Sequence, residues 1–129
     1  MSSTTKKLVF VVEDSRMFRE MITDRLRNND NITVEQFGTG EDCLNKMHHH
    51  PDIVILDYHL DSIQEDAKNG LEILKAIKKV APAVEVVMFS SQASYGVAAQ
   101  TIGKGACHYI IKDEKAYDEL ERVMNELVR

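Results

Sequence analysis

The sequence predicts an α/β domain in which a doubly wound, five-stranded parallel sheet is covered on both faces by five helices. Three observations carry that expectation. Short apolar runs rich in β-branched residues recur along the chain, each of strand length. Between them lie stretches whose apolar residues follow helical spacing. The chain has 129 residues, 43% hydrophobic and 29% charged, which suits one compact domain with one core, read here as residues 1–129 without an internal boundary. Such alternation requires right-handed crossovers between parallel strands and puts helices on both faces of the sheet.

The first strand is Lys7 to Val12, continuously apolar after its lysine and therefore suited to cover on both faces, and it stops at Glu13-Asp14-Ser15. From Ser15 the residues Phe18, Met21, Ile22, Arg25 and Leu26 follow helical spacing, and the turn-forming run Asn28 to Asn31 ends that pattern. A weaker strand, Ile32 to Phe37, precedes a helix opened by Thr39 and Asp42 at capping-box spacing, with Cys43, Leu44 and Met47 inward. Pro51-Asp52 resets the chain into the third strand, Ile53 to Asp57, which again ends on an acid. Gly70 to Ile77 reads as an amphipathic helix, and Val84 to Phe89 as a strand ending at Ser90-Ser91. A short Ala-rich helix is expected from about Ser94 to Lys104, then a fifth strand, Cys107 to Ile111, ending at Lys112. Leu120, Val123, Met124, Leu127 and Val128 place a last helix against the core.

Composition excludes several classes. The net charge is −5 with no dense Lys/Arg block, which argues against direct nucleic-acid binding. No apolar run approaches the length of a membrane span, so no membrane attachment is expected. Two cysteines without CxxC spacing, Cys43 and Cys107, make neither a disulfide scaffold nor a redox motif and read as small buried apolar groups; the expected compartment is the cytoplasm. The first strand is followed by acids rather than a Gly-rich loop, which argues against a nucleotide site. His48-His49-His50 cannot all converge on one ion and reads as a helix end.

In an open parallel sheet, function belongs at the carboxyl ends of the strands, where strand order reverses. The strand ends here deliver Glu13, Asp14, Asp57, Ser90 and Lys112 to one rim. Crowded carboxylates repel, and a hard divalent cation relieves the repulsion; Mg²⁺ takes one or two carboxylates and leaves room for phosphate oxygens. Lys112, the Ser90 hydroxyl and the Ser91 backbone N–H would face a phosphoryl group, with Asp57 as a nucleophile able to become an aspartyl phosphate.

These residues resemble the receiver domain of two-component response regulators, similar in size to the stand-alone chemotaxis regulators. The likeness runs from about residue 6 to 128: an acidic pair after strand one (Glu13-Asp14), the phosphoacceptor at the end of strand three (Asp57), a hydroxyl residue ending strand four (Ser90), a lysine ending strand five (Lys112), and a switch aromatic three residues earlier (Tyr109). The resemblance implies a flavodoxin-like fold with strand order 2-1-3-4-5. It also implies transfer to Asp57 from a phosphohistidine on a sensor histidine kinase or a phosphotransfer protein, with Mg²⁺ held by Asp14, Asp57 and the backbone carbonyl of His59, and by Glu13 directly or through water. Ser90 would move toward the phosphate and Tyr109 would turn inward, altering the face of helix four, strand five and helix five toward a downstream protein target; two copies could pair through that face. His59 and Gln92 occupy the positions that set how quickly phosphate is lost. On this reading the chain is an enzyme only toward itself.

Departures from the family pattern are specific. The interval from Asp57 to Gly70 is longer than usual, so Asp61 to Asn69 reads as an acidic insertion that either contacts a kinase or is merely tolerated. Asp113 stands where proline is common, which favours a trans bond after Lys112. His59 stands where a phosphatase of the haloacid dehalogenase type would need a second acid. Two alternatives remain beside the switch: a receiver-like binding module that no longer takes phosphate, and the receiver portion of a longer transcription factor.

Overall fold

The computed structural model describes residues 6–60, 69–91 and 95–128. In chain order it contains β1 (Lys7–Val12), α1 (Arg16–Leu26), β2 (Ile32–Phe37), α2 (Gly40–Asn45), a 3-10 turn (Met47–His49), β3 (Ile53–Asp57), α3 (Gly70–Val80), β4 (Glu85–Ser90), α4 (Tyr95–Gly103), β5 (His108–Ile111) and α5 (Ala116–Leu127). The strands form one parallel sheet, as their alternation with helices predicts, in the order β2-β1-β3-β4-β5 that the family resemblance implies. The order reverses between β1 and β3, which opens a crevice beyond their carboxyl ends.

Strand alternation divides the core in two. Val9 and Val11 of β1, Ile53 and Ile55 of β3, and Val87 and Phe89 of β4 pack with Ile22 and Leu26 of α1 and with Leu120, Val123 and Met124 of α5. Phe10, Val12, Val54, Leu56, Val86 and Met88 point the other way, onto Cys43 of α2 and Ile73, Leu74 and Ile77 of α3. Every residue of β3 is buried, because it is central and covered twice. β2 is half-exposed because it is an edge strand, which is why its sequence is less apolar.

Local details refine the helical pattern. Met21, though part of the apolar spacing of α1, is 43% exposed, while Thr23 is buried. Thr23 bears burial because its hydroxyl donates to the Arg19 carbonyl oxygen at 2.8 Å, while Met21 leans toward α5, its Sδ accepting from the Tyr117 hydroxyl at 3.8 Å. The second helix ends at Asn45, so Met47 packs on the core from the following 3-10 turn, and His50 takes a left-handed conformation (φ 58°) immediately before Pro51. No cis peptide occurs among the described residues, so the Lys112–Asp113 bond is trans. Among the described residues no helix is long and apolar enough to cross a membrane.

α3 reaches the crevice through an unusually close contact. A Cβ on Gly70 would stand 2.3 Å from the Asp57 carbonyl oxygen and 2.6 Å from the Tyr58 Cα, and the Gly70 N–H donates to the Tyr58 carbonyl at 2.8 Å. Only glycine lets a helix begin directly against the end of β3. Asn69 and Glu72 complete a reciprocal capping box that the sequence reading did not identify.

Candidate functional site at the carboxyl edge of the sheet

β1 ends in Glu13 and Asp14 because its apolar run gives way to acids where the sheet gives way to the crevice; β3 ends in Asp57 for the same reason. One ligand oxygen from each of Glu13, Asp14 and Asp57 lies within 4.8 Å of the others. Lys112, just beyond β5, reaches across both strands: its Nζ donates to Glu13 Oε1 at 2.8 Å and to Asp57 Oδ1 at 3.1 Å. The crossing is directed by the backbone, since the Lys112 N–H donates to the Ser90 carbonyl at 2.7 Å and continues the β4–β5 ladder by one residue.

Asp57 and Glu13 are each held by a neighbouring amide. The His59 N–H donates to Asp57 Oδ1 at 3.1 Å, and the Ser15 N–H donates to Glu13 Oε2 at 3.1 Å. Arg19 supports the same loop from α1, its Nη1 donating to the Glu13 carbonyl oxygen at 2.8 Å. Glu13, Asp57 and Lys112 are almost wholly removed from solvent, so their charges act in a medium of low polarity.

Burial pushes the Glu13 carboxyl up to about 7; the Asp57 charge adds to the rise, while Lys112 and the Ser15 N–H oppose it. Burial works against the Lys112 ammonium as well, yet Asp57 and Glu13 more than offset it and its pKa is raised. Glu13 is thus raised first by burial and second by its neighbour Asp57, with the single lysine only partly opposing the rise. Three crowded carboxylate oxygens of this type fit a hard divalent cation such as Mg²⁺.

Glu13, Asp14, Asp57, His59, Ser91 and Lys112, all singled out from the sequence, line one hollow of about 440 Å³. Ser90 does not line it but lies fully buried at the end of β4, one residue below Ser91. Tyr109 is half-buried on β5, paired in register with Met88 and packed on the α2/α3 side of the core. Gln92 and the stretch 61–68 of the proposed insertion lie outside the described residues. His48 and His49 lie in the last turn of the 3-10 helix, at a helix end as the sequence reading has them, and His49 Nδ1 meets both Glu35 carboxylate oxygens at 2.9 and 3.0 Å.

Two lining residues were not identified from the sequence, Ser15 and Phe18. Ser15 is the N-cap of α1, and its hydroxyl accepts from the Phe18 N–H at 3.5 Å. That cap sets Phe18 in the first turn of α1, facing the crevice rather than the core. The spacing Ser15-x-x-Phe18 after an acidic pair was the available signal, masked because Phe18 also fits the apolar helical stripe.

Comparison with known proteins gives a consistent result. The sequence model of the response regulator receiver domain matches residues 9–124. A protein-glutamate methylesterase/protein-glutamine glutaminase of Clostridium acetobutylicum is 36% identical over 127 residues, covering 94% of this chain and 34% of that protein. The chain thus spans about a third of that relative's length. The chemotaxis protein CheY of Listeria monocytogenes is 30% identical over 114 residues, covering 88% of this chain and 92% of that protein. Among solved structures, the receiver domain of NtrX from Brucella abortus is 27% identical with a TM-score of 0.82, covering 93% of this chain and 97% of that one.

Proposed function

The chain belongs to the response regulator receiver family of two-component systems, and on that premise we propose that it is a phosphorylation-dependent switch with Asp57 as phosphoacceptor. The observation that carries this reading is the Lys112 ammonium held between the Glu13 and Asp57 carboxylates at the edge where the Asp14 carboxylate also converges.

An Asp57 carboxylate oxygen attacks the phosphorus of a phosphohistidine on a sensor histidine kinase or phosphotransfer protein. The P–N bond breaks, the imidazole leaves with its electron pair, and an acyl phosphate forms on Asp57. With Oδ1 held by the His59 N–H and by Lys112, the plane of the carboxylate is set before the donor arrives. Lys112 then exchanges a carboxylate partner for a phosphoryl oxygen, which keeps its charge opposite the transferred group. The Ser91 N–H supplies a hydrogen-bond donor at the same wall. Glu13, Asp14, Asp57 and the His59 carbonyl would hold Mg²⁺, which would supply positive charge opposite the carboxylates and the phosphoryl oxygens.

The change is local in charge and distant in effect. Ser90 turns from its buried position toward the phosphate, Tyr109 follows into the space released, and the face of α4, β5 and α5 changes for a downstream protein target or a second copy of the chain. Water resets the switch by hydrolysing the acyl phosphate, at a rate that the residues at positions 59 and 92 help to set. In this reading residues 1–129 act as one cytoplasmic domain whose only phosphoryl chemistry is on itself.

Intact mass after incubation with acetyl phosphate and Mg²⁺ tests the proposal. The parent is expected to gain one phosphoryl group, Asp57→Ala to gain none, and chelation of the metal to suppress the gain. A folded parent that stays unmodified with acetyl phosphate and with a phosphorylated donor protein would leave a receiver-shaped binding module instead.

A further inference from the structure

The functional reading leaves one wall of the hollow without a role. Phe18 lines it and is half-exposed to it, and it belongs to neither half of the hydrophobic core. Its ring lies beneath the Lys112 ammonium, with Nζ 5.1 Å from the ring centroid. Phe89, buried at the sheet edge, presents a second ring with its centroid 5.9 Å from the same nitrogen. Both distances fall within the range in which an aromatic quadrupole attracts a cation, and the attraction is stronger where water is excluded, as around this mostly buried lysine.

Lys112 thus has two kinds of partner. The carboxylates of Glu13 and Asp57 hold it now, but a phosphoryl group on Asp57 takes over that oxygen and redistributes the charge. The rings are unchanged by the reaction. An aromatic face has no fixed hydrogen-bond direction, so it holds an ammonium near a place while allowing its three N–H groups to turn from one set of oxygens to another. Aliphatic side chains of similar size would fill the same space without attracting the charge.

We propose that Phe18 is a positioning residue for Lys112: together with Phe89 it keeps the ammonium at the mouth of the site while its hydrogen bonds pass from carboxylate to phosphoryl oxygens. The inference rests on the switch reading above and deepens it. Phe89 is committed to the core, which leaves Phe18 as the member of the pair that substitution tests cleanly.

The test compares the parent with Phe18→Leu, Phe18→Met and Phe18→Tyr in two measurements. In the metal-free, unphosphorylated chain, the ¹⁵N-ammonium signal of Lys112, assigned by its loss in Lys112→Met, is expected to broaden through faster proton exchange in the Leu and Met variants and to keep the parent's exchange rate in Phe18→Tyr; its exchange rate is the quantity compared, since loss of ring current alone displaces the signal. In phosphorylation by acetyl phosphate at saturating Mg²⁺, the rate constant is expected to fall about fivefold in the Leu and Met variants, with half-saturation unchanged and the Tyr variant within about twofold of the parent. Leu and Met fill the space without a quadrupole, so a purely packing role would leave both measurements unmoved. Parent-like behaviour of the Leu and Met variants in both measurements, or a Tyr variant as impaired as Leu, would overturn the proposal. If the parent takes no phosphate while the ammonium signal still responds to Phe18→Leu, the switch reading fails and the positioning of Lys112 stands.

Discussion

Glu13 shows how one residue's environment sets the behaviour of the site. Its carboxyl is raised to about 7, first by burial and then by Asp57, whereas an unfolded chain would titrate it near 4.5. Below pH 4.5 both states are protonated and the residue has no effect; between 4.5 and 7 the folded state holds the proton more tightly; above 7 the full penalty of a buried charge is present. Glu13 therefore destabilises the metal-free fold increasingly as pH rises from about 5 to about 7 and constantly beyond. Glu13→Gln, which stays neutral, should gain stability relative to the parent as pH rises over that range, measured by urea midpoints in the presence of a chelator. A constant difference from pH 5 to pH 8 would contradict the assignment. Glu13 was legible in the sequence as a strand-end acid; its raised pKa was not, because it depends on Asp57 and Lys112, which are distant in sequence.

At the level of elements, α3 is the support on which the end of β3 rests. Asn69 caps it, with its side chain accepting from the Glu72 N–H at 3.0 Å and the Glu72 carboxylate accepting from the Asn69 N–H at 3.2 Å. Asn69→Ala should cost about 1 kcal/mol in equilibrium denaturation with little effect at Asp57, because the loss is confined to the cap. Gly70→Ala should cost about 1–3 kcal/mol or more and should also slow phosphorylation, because the added methyl strikes the Asp57 and Tyr58 backbone and not a movable side chain. A Gly70→Ala chain as active and as stable as the parent would show that the contact relaxes at no cost. The elements themselves were readable from periodicity: β1, β2 and β3 lie where their apolar runs predict. The end of α2 was not, because the 3-10 turn is closed by backbone hydrogen bonds, from His49 N–H to Lys46 and from His50 N–H to Met47, which hydrophobic spacing does not encode.

Across the whole molecule, the two halves of the core shield groups whose reactivity then reports on global opening. Cys43 is fully buried on the α2/α3 side, and burial pushes its thiol up to about 12. Cys107 is raised to about 11, by burial first and by its hydrogen bond to Glu85 second. At pH 8 the thiolate fraction is then only about one part in ten thousand for Cys43 and one in a thousand for Cys107. Alkylation by iodoacetamide should be slow in the native chain, slower at Cys43 than at Cys107, and fast at both in denaturant. Rapid native labelling of Cys43 would mean that the α2/α3 side opens locally.

The sequence by itself determined the alternation of strands and helices, the burial of the central strands, and the arrival of Glu13, Asp14, Asp57, Ser90 and Lys112 at one edge. These follow from local periodicity and from parallel topology, in which all carboxyl ends share a side. Only the tertiary structure decided that Lys112 spans Glu13 and Asp57, that Ser91 lines the hollow while Ser90 lies below it, and that Phe18 faces an ammonium instead of the core. The physical reason is range: a helical or strand period is set by neighbours within a few residues, whereas these contacts join residues many tens of positions apart and depend on distances that no local pattern encodes.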